Sequence, residues 1–215
     1  MKKYILPVLM ISATVVVLAG CRKDPINSLT GDEGRIYITK HDDSVNFNAF
    51  STFSIADSVA VISKDKLEEK ALTKVDAAYI DAIKTQMQQR GYTLVNKDQQ
   101  PDLGITVSRI YNTYSGIFDY GGYWGSYYGS FWDPWYWGYP GYGYYFPPTF
   151  YGVYSITDGA VSIDVFSLKD AHQNNNKIKG IWNGLVRGSG TFSERTAEGS
   201  VKALFDQSAY FKATN

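Results

Sequence analysis

Two stretches decide the fold: Ala160-Val-Ser-Ile-Asp-Val-Phe-Ser-Leu168 and Lys179-Gly-Ile-Trp-Asn-Gly-Leu-Val-Arg187. In the first, Val161, Ile163 and Val165 recur at every second residue, the period at which strand side chains return to one face. In the second, the same period places Ile181 and Leu185 opposite Trp182 and Val186. Residues 170–176 are polar, with three consecutive Asn, and fit a hairpin loop joining the two strands.

Working outward, Pro101-Asp102 opens a further strand in which Leu103, Ile105 and Val107 alternate with Gly104, Thr106 and Ser108. Residues 75–90 change period. Val75, Tyr79, Ile83 and Met87 fall every four residues, and Ile80 and Ala82 widen the stripe, which predicts an amphipathic helix. Asp81, Lys84, Gln88 and Arg90 fall largely off that stripe. Thr73 followed by Asp76 has the form of a capping box, and Gly91 suits the position after the last turn. Residues 194–207 predict a second helix, with Ala197, Val201, Leu204 and Phe205 on one face and Ser193 as N-cap. Short strands are expected at 35–39, at 50–55 with Phe53 and Ile55 sharing a face, and at 92–95. A turn is expected at His41-Asp-Asp-Ser44. Residues 59–74 are mixed and charged and predict a loop with a helical turn. The order strand, helix, run of strands, helix predicts an α+β fold: a mostly antiparallel sheet with two amphipathic helices packed on one face, plus a long aromatic and Gly-rich loop.

The chain has 215 residues, with 21 Lys plus Arg balanced by 21 Asp plus Glu. A zero net charge excludes the broad basic surface that grips nucleic acid through its phosphates. Cys21 is the only cysteine, so no internal disulfide and no Cys/His zinc site can form. Its context is informative. Lys2 and Lys3 precede a nearly all-apolar run over residues 4–17, followed by Leu18-Ala-Gly-Cys21. Charge, apolar stretch and small residues are the layout of a secretory signal. Leu-Ala-Gly-Cys resembles the lipobox of bacterial lipoproteins, which implies cleavage between Gly20 and Cys21 and acylation of Cys21. Two or more acyl chains make a stable anchor where one does not. The expected organisation is a signal peptide at 1–20, the lipidated Cys and a tether at 21–41, and one α+β domain at 42–210 with an aromatic insert at 111–154. Arg-Lys-Asp-Pro after Cys21 is not an acidic export cluster, so the expected place is the outer membrane, facing the periplasm.

The insert is 44 residues long and 21 of them are aromatic, nine are Gly, and only Asp119 and Asp133 are charged. Gly and Pro at this density oppose a regular helix and weaken strands. So many rings form an interaction surface if they face water. Candidate contact residues are Tyr123, Trp124, Tyr127, Trp132, Trp135, Trp137 and Tyr139. Rings stack on sugar faces, prefer membrane interfaces, and anchor protein interfaces. Peptidoglycan, lipid headgroups and another envelope protein are therefore all admissible partners. Two bland alternatives stand beside them: the segment folds over the domain's own sheet, or it is a sticky linker without a specific ligand. The insert holds no Lys or Arg, so a nucleic-acid platform is excluded.

The ordered set of a lipobox, Phe50-x-x-Phe53, a helix ending Arg90-Gly91-Tyr92, Pro101-Asp102-Leu103, an aromatic-Gly loop, Ala160-Val-Ser-Ile-Asp164, Ile181-Trp182-x-Gly184 and a closing helix resembles the bacterial lipoprotein domain family known as domain of unknown function 4136. The resemblance covers about residues 42–210. It implies an envelope location and a compact α+β domain, and it carries no activity and no catalytic residues.

Chemistry-bearing residues are sparse. His41 and His172 each sit in a polar turn without a metal-ligand partner at helical or hairpin spacing, and no nucleophile elbow, P-loop or metalloprotease motif is present. No cofactor or metal is expected. Asp164, among apolar neighbours, is the one carboxylate expected to be partly buried, paired with Arg187 or Arg109. The sequence thus points to a non-enzymatic binding or scaffold module. The alternative is a hydrolase acting on cell-wall glycan, with Asp164 as its acid–base candidate.

Overall fold

A computed structural model describes residues 34–64, 66–111, 134–147 and 159–214. The chain divides at Gly34, and the unit from Gly34 onward carries the fold. Among the described residues it is a mixed α+β domain with a nine-stranded, mostly antiparallel sheet and two α-helices. The strands are β1 (Arg35–His41), β2 (Thr52–Ile55), β3 (Val59–Ser63), β4 (Lys66–Ala71), β5 (Thr93–Leu94), β6 (Leu103–Ile110), β7 (Gly143–Tyr145), β8 (Ala160–Ser167) and β9 (Lys177–Gly188). The helices are α1 (Lys74–Gln89) and α2 (Glu194–Asp206).

The long ladders β1–β9, β9–β8 and β8–β6 are antiparallel and make the centre of the sheet. Shorter parallel pairings join β2 and β3 to β6, β5 to β2, and β7 to β9. The β8–β9 hairpin forms as its alternation predicts, with one correction. Val165 stands opposite Trp182 but Phe166 stands opposite Gly180, so Ile181 is an extra residue on β9. This bulge turns Ile181 onto the side of Trp182 and Val186, in one hydrophobic cluster, while Leu185 belongs to another.

Residues 59–74 are the larger correction. They hold β3 and β4, an antiparallel pair, and not a loop with a helical turn. Val59-Ala-Val-Ile is a short run buried on both sides, as befits a strand that also pairs parallel with β6. The charged Lys66–Ala71 stretch has helical composition, but pairing with β3 overrides that preference.

α1 buries Tyr79, Ile80, Ala82, Ile83 and Met87, and the Thr73–Asp76 capping box is complete in both directions. α2 buries Ala197, Val201, Leu204 and Phe205. These side chains share a cluster with Phe53, Leu103, Ile105, Val107, Val161, Ile163, Val165 and Trp182. Arg90, at the end of α1, ties the two helices together. Its guanidinium donates to the carbonyls of Phe205 at 2.6 Å, Ser208 at 3.1 Å and Phe211 at 3.2 Å, satisfying groups that the end of α2 leaves without intrahelical partners. Trp182 lies over Gly184, where a Cβ would collide with its ring, and its Nε1 donates to Ser208 Oγ at 2.9 Å.

Among the described residues no helix is long and apolar enough to cross a membrane. The signal, Gly20, Cys21 and the tether up to residue 33 lie outside the described residues, as do residues 112–133 and 148–158 of the insert.

Candidate functional site

Residues 134–147 are the described part of the aromatic insert, and the sheet receives them at two glycines. The alternation that sends Leu103, Ile105 and Val107 into the helix-bearing cluster sends Gly104 to the opposite face. There a Cβ would lie 3.3 Å from the indole of Trp137. A Cβ at Gly180 would lie 2.6 Å from the ring of Phe146. Trp137 and Phe146 are accordingly buried, at 3% and 6% exposure, in a second cluster with Ala60, Ile62, Ile110, Phe166 and Leu185. Around these two rings, Tyr139 OH donates to the Leu168 carbonyl at 2.9 Å, Tyr142 OH pairs with His172 Nδ1, and Tyr144 packs on Phe166 with centroids 5.1 Å apart. Lys97 Nζ lies 4.7 Å over the ring of Tyr136, and burial raises the Tyr136 and Tyr139 hydroxyls above the ordinary tyrosine pKa.

Of the seven candidate contact residues, Tyr123, Trp124, Tyr127 and Trp132 lie outside the described residues. The other three are sorted by the structure. Trp137 is used inside the molecule, because Gly104 gives its ring a seat. Tyr139 is part-buried, with its hydroxyl committed to Leu168. Trp135 faces water at 72% exposure, and the sequence did not single out Tyr145, which is 41% exposed.

The same sheet face carries a second feature. Asp164 is buried, but neither expected arginine holds it. Arg109 falls on the other face and pairs with Asp76 of α1 at 3.5 Å. Arg187 stands opposite Ala160, four residues beyond Asn183. The partners of Asp164 are Asn183, whose Nδ2 donates to Oδ1 at 2.7 Å, and Ser162, whose Oγ donates to Oδ2 at 3.2 Å. Asn183 Nδ2 also reaches Ser162 Oγ at 2.9 Å. Cross-strand register adds Thr106 directly opposite Asp164 and Ser108 directly opposite Ser162. Desolvation by burial outweighs the two hydrogen bonds and pushes the Asp164 carboxyl up to about 7.

The histidines take local roles. His41 stacks on Tyr210 with centroids 4.0 Å apart and meets Asp43 at 3.0 Å, while His172 faces Tyr142. A groove of about 510 Å³ between α1, β5 and Tyr136 mixes Asp57, Asp81 and Asp98 with Lys84 and Lys97.

The fold has a counterpart among solved structures, and the sequence has one among known families. The sequence model of the family described as "Domain of unknown function (DUF4136)" matches residues 38–208, and the chain belongs to that family. A crystal structure of a DUF4136 family protein from Bacteroides thetaiotaomicron VPI-5482 is similar at 26% identity and a TM-score of 0.61, covering 83% of this chain and 98% of that one. No curated protein matches.

The raised Asp164 pKa fixes a stability slope. Between the ordinary carboxyl value near 3.8 and about 7, the folded chain keeps a proton that the unfolded chain releases. Stability therefore falls as pH rises through that window and levels off above it. Urea midpoints measured from pH 4 to 8 should show this decline in the wild type and a flatter profile in Asp164→Asn. An equal slope in both proteins would place the titration elsewhere.

Proposed function

We propose that this chain is a membrane-anchored cell-envelope lipoprotein, held by acylated Cys21 at the periplasmic face of the outer membrane. Its domain is a non-enzymatic binding module in which the two helices cover one face of the sheet and the aromatic insert is laid on the other. The partner is cell-wall glycan. One observation carries the binding reading: Trp135 presents its ring to water at 72% exposure two residues before Trp137, which is locked on Gly104. A flat ring held on a fixed base stacks on a sugar face at little cost in conformational entropy. The neighbours of Asp164 are hydroxyls and an amide, which supports binding over the hydrolase alternative, since acid–base hydrolysis of glycans uses a pair of carboxyls.

The anchor is tested by Cys21→Ser in a bacterial host, which should move the protein from the detergent-extracted membrane fraction to the soluble one. Contact is tested with lipid-free residues 22–215 spun down with insoluble peptidoglycan sacculi or with liposomes. The wild type should pellet with sacculi, and Trp135→Ala combined with Tyr145→Ala should not. This pair leaves Trp137 and Phe146 in their seats, whereas deleting the whole insert would also strip the second cluster. Pelleting with liposomes alone would replace glycan by lipid as the partner. Pelleting with neither would remove both.

A further inference from the structure

Among the described residues, the outer edge of the sheet has a gap between β5 and β4. Ala56 N–H donates to the Ile105 carbonyl at 2.9 Å, so Ser54 and Ala56 turn their backbone groups toward β6. Alternation turns the N–H and C=O of Phe53 and Ile55 the other way, toward the edge. β5 covers the first of these, with Val95 N–H donating to the Phe53 carbonyl at 2.9 Å. Its ladder ends at Leu94 opposite Phe53, and the next cover on this side is β4, from Ala71 opposite Val59 onward. Among the described residues no hydrogen bond reaches the N–H or C=O of Ile55. An unpaired strand edge is a template for another strand.

The gap opens into the groove of about 510 Å³, which Ser54 to Asp57 line. Those four residues span about 10 Å, the length of three residues of extended chain. Ile80 of α1 lines the groove on the helix side, and Tyr136 of the insert lines it too, its hydroxyl meeting the Asp57 backbone. The elements that flank the gap add Leu94, 37% exposed, and Leu72, 61% exposed, both lining the same groove.

Two features say what fits. An outward N–H and C=O on one strand residue match another extended backbone. A sugar ring would need an open aromatic face, and the one ring lining the groove, Tyr136, carries Lys97 Nζ 4.7 Å above it. Charge is the second feature. Lys84 is held by Asp81 at 3.1 Å, and Lys97 stands 3.9 Å from Asp98. Asp57 accepts from Ser58 Oγ at 3.1 Å and has no ion-pair partner among the described residues. The groove therefore holds one carboxylate in excess, which suits a cationic side chain and repels an acidic one.

We propose that this gap binds an extended segment of a protein partner, which adds as a short strand along Ile55. The segment carries a Lys or Arg for Asp57 and an apolar side chain against Leu72 or Leu94. The site is separate from the glycan-stacking surface, since neither Trp135 nor Tyr145 lines the groove.

The full chain, purified in detergent and immobilised, is panned against a phage library of random heptapeptides. The most enriched peptide is synthesised and titrated by fluorescence anisotropy. Enriched sequences should share a Lys or Arg one or two positions from an apolar residue. Asp57→Asn should weaken binding about two- to fivefold, the size of an exposed ion pair, and leave the melting temperature unchanged because Asp57 is exposed. Methylating the peptide's backbone nitrogens one at a time should abolish binding at alternate positions only, because strand amides point by turns toward and away from a neighbour. Trp135→Ala combined with Tyr145→Ala should leave peptide affinity unchanged. No enrichment, enrichment of acidic peptides, equal affinity for Asp57→Asn, or methylation sensitivity without alternation would each overturn the proposal. A peptide-free dimer that dissociates in Asp57→Asn would overturn it as well, by making the occupant a second copy of the chain. Loss of sacculus pelleting in the Trp135 and Tyr145 variant with peptide binding intact would leave it standing.

Discussion

Aromatic rings seated on strand glycines are the contacts on which the layers of this domain depend. Trp182 lies over Gly184, where Leu204 also comes within 3.1 Å of a Cβ position. Trp137 sits on Gly104 and Phe146 on Gly180 on the opposite face. In each case the missing Cβ is what lets the ring approach the backbone, so the glycine and the ring work only as a pair. The cost of glycine in a strand is offset by large, specific burial of a ring. The seats on Gly104 and Gly180 also decide what the aromatic insert can do. Rings that occupy them are withdrawn from solvent, and their neighbours are thereby held in fixed positions.

The insert therefore divides by role within a few residues. Trp137, Tyr139, Tyr144 and Phe146 face the sheet, while Trp135 and Tyr145 face water. Density of aromatics alone describes a sticky segment. Within residues 134–147, packing six of the eight rings on the second cluster holds the other two, Trp135 and Tyr145, in a defined geometry, which is what recognition of a flat ligand requires. On the same sheet face the polar row around Asp164 lies between Gly104, Phe166 and Gly180 at one end and Ile110, Ala160 and Arg187 at the other. The domain thus pairs an exposed aromatic surface with an enclosed polar one, both on the face away from the helix-bearing cluster.

Much of the fold was legible because two periods were strong. The four-residue spacing of Val75, Tyr79, Ile83 and Met87 and the two-residue spacing of Val161, Ile163 and Val165 each have one reading, and the structure has a helix and a strand there. Residues 59–71 were misread because charge in Lys66–Ala71 masked a strand whose identity comes from its partner β3. Ile181 was placed on the wrong face because a bulge is a property of two strands in register, which one strand's alternation does not contain. The site was less legible for the same reason. Thr106, Ser108, Ser162 and Asn183 are ordinary polar alternates within their own strands. They become a cluster only when β6, β8 and β9 are laid side by side. Setting the polar positions of the three strands against each other would have gathered them, and would have separated Asp164 from Arg109, which points to the other face. The split of the insert into seated and exposed rings depends on Gly104 and Gly180, which read in sequence only as weak points in strands.

The central claim is that residues 134–147 are a seated layer of the domain and not a free sticky segment. Amide hydrogen exchange followed by mass spectrometry tests it directly. The backbone N–H groups of Tyr139, Tyr142 and Gly143 donate to the carbonyls of Pro134, Tyr139 and Asn176. Peptides covering 139–146 should exchange orders of magnitude more slowly than an unfolded chain. They should lose that protection in Gly180→Ala while peptides from α1 and β6 keep theirs. Exchange of 139–146 at the unfolded rate in the wild type would contradict the account.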